Sequence, residues 1–210
     1  MSFHEKNLFW VALLMSVGGL SCSREKQQEA ASSCNLLVQG ASIQFNGHVL
    51  PLPGELVEWE KVFGKHTRKF SSSADAYIWD EKGIYVLAQL SSPTLDSFAV
   101  MLNSRSSTGP LREAPEYWPR TTFKGRLCVD GSVITPDSRI AEVNRTKQGP
   151  PFSRGYLDSI YSYDLDAHPL DVYVRIDLTD AGTPESFTMD FSDLVTVHRP
   201  GSVEEEAGRR

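Results

Sequence analysis

Positive charge, histidine and cysteine are all scarce in this 210-residue sequence. Lysine and arginine total 21 against 27 aspartates and glutamates, a formal net charge of −6. A nucleic-acid partner is not expected, because neutralising phosphates takes a surplus of cations. Catalytic signatures are missing too. There is no GxSxG elbow, no GxxxxGKS or GxxxxGKT phosphate loop, no GxGxxG fingerprint and no HExxH helix. The three cysteines, Cys22, Cys34 and Cys128, lack the paired spacing of zinc ligands. His48, His66, His168 and His198 are scattered without a partner at ligand or base spacing. The expectation is a protein with no metal, no cofactor and no enzymatic role.

What is present begins with an address. Leu8 to Val17 reads LFWVALLMSV, and counted through Leu20 the run is 13 residues long. That makes about 20 Å of helix, short of the ~30 Å bilayer core. It reads as the apolar region of a signal peptide over residues 1–21. Gly19-Leu20-Ser21-Cys22 resembles a bacterial lipobox. The resemblance implies lipidation at Cys22, a membrane partner reached through that anchor, and, with Ser23 following, residence in the outer membrane. Ordinary signal-peptidase cleavage near Gly18 or Gly19 is the alternative, but a cysteine right at the end of the apolar run favours lipid. Residues 22–36 are mostly polar and read as a flexible tether, and residues 198–210 as a loose tail.

With Cys22 lipidated, Cys34 and Cys128 remain as an even pair in an oxidising compartment. A bridge between them would close a loop of 94 residues, and two unpaired thiols are the alternative. Downstream, the pattern predicts one unit used twice. Ala41 to Phe45 alternates into Asn46-Gly47, a hairpin-turn dipeptide, and Val49-Leu50 returns. ELVEWEKVF follows, with Leu56, Trp59 and Phe63 at helical spacing. Strands are expected over 76–79, 84–90 and 98–102. The second pass runs through Asp130-Gly131, a helix start at Thr135-Pro136-Asp137, and strands over 160–163, 172–178 and 187–191. Gly47 and Gly131 are 84 apart, and Phe98 and Phe187 are 89 apart. The predicted fold class is α+β: a tandem duplicated module of a short hairpin, one helix and a three-stranded antiparallel sheet. Its modules span 37–103 and 121–197, joined by a linker over 104–120.

The phrases FNG, LPG, EWEKVFGK and YIWDEKGIYV resemble an uncharacterised bacterial family of envelope lipoproteins and secreted proteins, from about Ile43 to Phe191. That resemblance implies no known activity. More loosely, helix-then-sheet units in tandem are similar to β-lactamase-inhibitor-protein-like modules, which bind proteins, a likeness of fold alone. Tyr117 and Trp118, in the linker, are the candidate interaction aromatics, because a linker offers little core to bury them. Clamping the two halves together is their alternative role. Tyr77, Trp79, Tyr85, Tyr161, Tyr163 and Tyr173 are expected along one sheet face. Asp158, Asp164, Asp166 and Asp171 lack the ligand spacing of a calcium loop and read as solvated carboxylates.

The leading expectation is a non-catalytic envelope lipoprotein binding a protein or an envelope component. An immunity or inhibitor lipoprotein that neutralises a toxin or hydrolase is a second reading. An unrecognised hydrolase is a third, and it requires a pocket gathering two or more of Asp164, Asp166, His168 and Glu185.

Overall fold

Two tight turns set the chain's course. Asn46-Gly47 and Asp130-Gly131 both adopt left-handed backbone, with φ of 49° and 81° in the first and 46° and 87° in the second. Only glycine, asparagine and aspartate enter that region cheaply. The computed structural model describes residues 34–90, 92–103, 116–167 and 170–193. The signal peptide, Cys22, most of the tether, His168 and the 198–210 tail lie outside the described residues. No helix among the described residues is long and apolar enough to cross a membrane.

In chain order the elements are β1 (Leu36–Gln39), β2 (Ser42–Phe45), β3 (His48–Leu50), β4 (Gly54–Glu55), α1 (Leu56–Phe63), β5 (Arg68–Ser71) and β6 (Ala74–Trp79). A single 3-10 turn, Asp80–Lys82, leads into β7 (Ile84–Gln89) and β8 (Thr94–Met101). Then come β9 (Leu127–Val129), β10 (Ser132–Ile134), α2 (Ile140–Thr146), β11 (Ser153–Arg154), β12 (Ile160–Ala167), β13 (Leu170–Leu178) and β14 (Pro184–Asp193). A five-stranded sheet has the order β10-β9-β1-β2-β3. A nine-stranded sheet runs β11-β12-β13-β14-β8-β7-β6-β5, with β4 added beside β8. Strand pairs are antiparallel except β1 with β9.

Alternation explains the core. Leu36 and Val38 of β1, Leu127 and Val129 of β9, and Ile43 of β2 all point inward from the small sheet. They meet Trp59 and Phe63 of α1, Ile140 and Val143 of α2, and the inner face of the large sheet in one cluster. Burying a large apolar side chain contributes about 1.5–3 kcal/mol. Trp59, Phe98 and Phe187 are all fully buried, so the energetic centre lies where α1 covers β8 and β14. The Trp59 indole still needs an acceptor there, and its N–H donates to the Pro51 carbonyl at 2.8 Å. Gly64 ends α1, donating its N–H to the Glu60 carbonyl.

The expected α+β duplicated module is overturned. The molecule is mostly β, with two sheets of five and nine strands and only two short helices among the described residues. Each half pairs its own strands in sequence, β6-β7-β8 and β12-β13-β14, but β1 pairs with β9 and β8 with β14, so both halves merge into two shared sheets and neither stands as a separate module. The physical reason is edge exposure. An eight-residue and a seven-residue helix cover too little of a sheet, and a strand with free N–H and C=O groups finds a partner wherever one is available. Thr135-Pro136-Asp137 is not a helix start either. The Ser138 N–H donates to the Thr135 carbonyl and the Thr135 N–H to Ser138 Oγ, a locally satisfied turn. The aromatic face also divides. Tyr77, Trp79, Tyr161 and Tyr163 belong to the main core, whereas Tyr85 lies on the opposite face.

Candidate binding site

Beside the Cys34–Cys128 disulfide the outer face of the small sheet forms the floor of a groove. Its cavity volume is about 370 Å³, within the range of small-ligand pockets. Val133, Cys128 and Leu37 stand in one cross-strand row over β10, β9 and β1. Their chain neighbours Leu36, Val38, Leu127, Val129 and Ile134 face the core, so period-2 alternation leaves these three outward. Leu165 of β12 and the Gln148-Gly149-Pro150 segment form the walls. The expected bridge is present, with Cα atoms 6.0 Å apart, and it closes one end of the floor.

Asp130 organises this site from beneath. It occupies the left-handed turn between β9 and β10 and so projects its carboxylate away from the strand. Oδ1 accepts the Gly40 N–H at 2.8 Å, which ties this turn to the β1–β2 turn. Oδ2 accepts the Tyr163 hydroxyl at 2.9 Å and lies 2.9 Å from Lys147 Nζ. The Lys147 side chain is fully buried. Its ammonium also donates to the Gln148 and Pro150 carbonyls at 3.0 and 2.6 Å, and it sits 3.9 Å from the centre of the Tyr163 ring. A buried ion pair repays its desolvation only when remaining donors are satisfied, and here they are. Burial raises the Tyr163 pKa, and the Asp130 charge and hydrogen bond add to it, so the phenol stays a donor. Among the described residues Asp130 is the one titratable side chain lining the groove, and both its oxygens are used for support. The chemistry on offer is therefore an apolar floor with amide groups from Gln39 and Gln148, suited to holding an apolar or peptide-like group.

Tyr117 and Trp118 lie elsewhere. They are partly buried against the outer face of the large sheet, over Ala76, Ile78, Tyr85, Ala99 and Met101. Tyr117 packs 5.5 Å from the Tyr85 ring and 6.3 Å from Phe70. Asp80 holds this segment in place. Arg68 grips its carboxylate through two hydrogen bonds of 2.8 and 3.1 Å, and the Arg120 amide donates to it at 2.9 Å. Arg68 also donates to the Trp118 carbonyl at 2.6 Å and to the Glu116 carbonyl. Burial alone would raise the Asp80 pKa, but the hydrogen bonds from Arg68 and the Arg120 amide outweigh it, and the net shift is downward.

The acidic residues do not form one loop. Asp164, Asp166 and Asp171 share the outer face of the β12–β13 hairpin, while Asp158 pairs with Arg154 at 2.5 Å in the preceding turn. Asp164 and Glu185 do not converge. Asp164 aligns through Tyr173 with Asp190, and Glu185 lies five residues further along β14, about 17 Å away at strand rise. Lys147 and the carboxylate of Asp130 escaped sequence reasoning. Asp130 registers there only as a turn residue, and Lys147 not at all. A family model described as Domain of unknown function (DUF7738) matches residues 35–144. No curated protein and no solved structure matches the chain.

Proposed function

We propose that this chain, which belongs to the DUF7738 family of domains of unknown function, acts as a non-catalytic, lipid-anchored binding protein of the bacterial envelope. Cys22 carries the anchor, the outer membrane is its location, and a protein or envelope component is its ligand. One observation carries the reading. The apolar groove is floored by the Cys34–Cys128 bridge, and Cys34 stands only twelve residues after the proposed lipidated cysteine. A span of that length reaches at most about 40 Å, so the groove is held close to the membrane surface. Its single lining carboxylate is committed to support, which favours binding over acid–base work.

Crosslinking in intact envelopes followed by mass spectrometry tests location and partner together. Metabolic labelling with palmitate, lost in Cys22→Ala, tests the anchor separately. Label on Cys22 and a crosslink to groove residues are the expected results. An unlabelled protein, or crosslinks that avoid Leu37, Val133 and Gln148 altogether, would sink the reading. The inhibitor reading keeps one specific support, the concentration of carboxylates on one sheet face.

A further inference from the structure

The outer face of β12, β13 and β14 is a second surface with its own chemistry. Strand register places Asp164, Tyr173 and Asp190 in one row across it, and Ser162, Arg175 and Thr188 in the next. Asp166 and Asp171 face each other directly across the β12–β13 pair. Asp177 completes the set, 3.4 Å from Arg175 Nε. Five aspartates surround one arginine among the described residues of this face. Asp164, Asp166 and Asp171 are exposed.

The middle of the face holds unmet hydrogen-bonding capacity. Thr188 is 3% exposed, yet its hydroxyl has no hydrogen-bond partner. Directly opposite on β13, the buried Arg175 Nε makes no hydrogen bond and has only its long, 3.4 Å ion-pair contact with Asp177. Leaving a buried hydroxyl unpaired normally costs about 1–3 kcal/mol, so Thr188, set beside the weakly engaged Arg175, points to an acceptor that arrives from outside. Their neighbours are already engaged: Ser97 donates to Asp190 at 2.5 Å and Ser186 to Asp177 at 2.9 Å.

We infer that this face docks a protein partner through a segment rich in lysine or arginine, with a backbone carbonyl of that segment received by Arg175 and Thr188. The inference rests on the binding-protein reading and names the partner's chemistry. Charge complementarity selects it. An anionic lipid or nucleic-acid surface would be repelled by the aspartates. A single bound metal ion is disfavoured by geometry, because no three of the described carboxylates, histidines and cysteines come together to hold one. Cations spaced along a polypeptide match carboxylates spaced along strands. Neighbouring strands are ~4.8 Å apart and residues rise ~3.4 Å, so the patch measures about 10 by 20 Å, the footprint of one such segment. Tyr173 and Arg175 at its centre are of the residue types that anchor protein interfaces.

The probe is an octalysine peptide titrated into the purified protein at low and at physiological salt. The triple variant Asp164→Asn, Asp166→Asn, Asp171→Asn, changed only at exposed positions, is expected to lose about tenfold or more in affinity. Thr188→Val, which keeps shape and removes the hydroxyl, is expected to weaken binding severalfold while preserving the salt dependence. A control of equal charge change elsewhere, Glu55→Gln, Asp137→Asn, Glu142→Gln, is expected to bind within about twofold of the parent. A control that loses as much as the triple variant means binding follows net charge, and overturns the inference. So does calcium that displaces octalysine from these carboxylates at micromolar concentration. If envelope crosslinking finds a partner on the groove, and the triple variant crosslinks to it as well as the parent does, this docking face fails while the binding-protein reading stands.

Discussion

Replacing Lys147 by methionine is the sharpest test of how the groove is built. Methionine keeps most of the volume and the unbranched stem, so the change is chiefly the loss of an ammonium. That ammonium has no solvent exposure, and it meets Asp130 Oδ2 at 2.9 Å and the Gln148 and Pro150 carbonyls at 3.0 and 2.6 Å. Its removal leaves a nearly buried carboxylate with two hydrogen bonds and no counter-ion, and two carbonyls without their donor. Breaking a buried pair from one side costs about 3–5 kcal/mol. For a domain of this size that corresponds to a fall in Tm of about 6–20 °C. Differential scanning calorimetry with the disulfide intact measures it. Lys147→Met combined with Asp130→Asn removes the stranded charge as well, and asparagine tolerates the left-handed backbone at 130. The double variant is expected to be more stable than Lys147→Met alone. A single-variant cost below about 1 kcal/mol, or a double variant no better than the single, refutes the ion pair as the groove's support.

Three further outcomes follow from the same structure. Asp80→Asn should cost about 1–3 kcal/mol near neutral pH. The folded carboxyl lies below its ordinary 3.8, so its contribution is complete above that range and is lost as pH falls through the folded value; urea midpoints of parent and variant should converge in acid. Cys34→Ser with Cys128→Ser opens a loop of 94 residues and should cost about 4–5 kcal/mol in urea titration, matched by reduction of the parent protein. Gly83→Ala forces a side chain onto φ of 67° and brings Cβ to 2.2 Å from the Phe123 amide nitrogen. A loss above about 2 kcal/mol, with faster hydrogen exchange over 116–123, is expected.

Local signals were legible in the sequence and long-range pairing was not. Asn46-Gly47, Asp130-Gly131, the Leu56–Trp59–Phe63 stripe and the alternation over 172–178 each report on their immediate neighbours, and each stands in the structure where the pattern placed it. The disulfide was legible because reading Cys22 as a lipidation site leaves Cys34 and Cys128 as an even pair. Which strand lies beside β8 depends on contacts almost ninety residues away, and no dipeptide encodes that. The short strands β5 and β11 were missed because two to four residues give no period to read. The outer-face chemistry was hidden for a related reason. Asp164, Tyr173 and Asp190 become neighbours only through register, and Thr188 reads in sequence as the polar half of an ordinary alternation.

The parallel β1–β9 pair imposes an order on biogenesis. β1 is among the first strands made, and its hairpin partner β2 follows at once, but its other neighbour is synthesised about ninety residues later. Until then the middle strand of the small sheet is an open edge, able to template pairing with another chain. The same holds for β8, which waits for β14. A fragment ending at residue 144 would contain every strand of the small sheet yet still expose the flank of β8. Nascent or truncated chains of this protein therefore carry a sticky margin that only the last hairpin seals, and a chaperone that shields strand edges would have its longest task here.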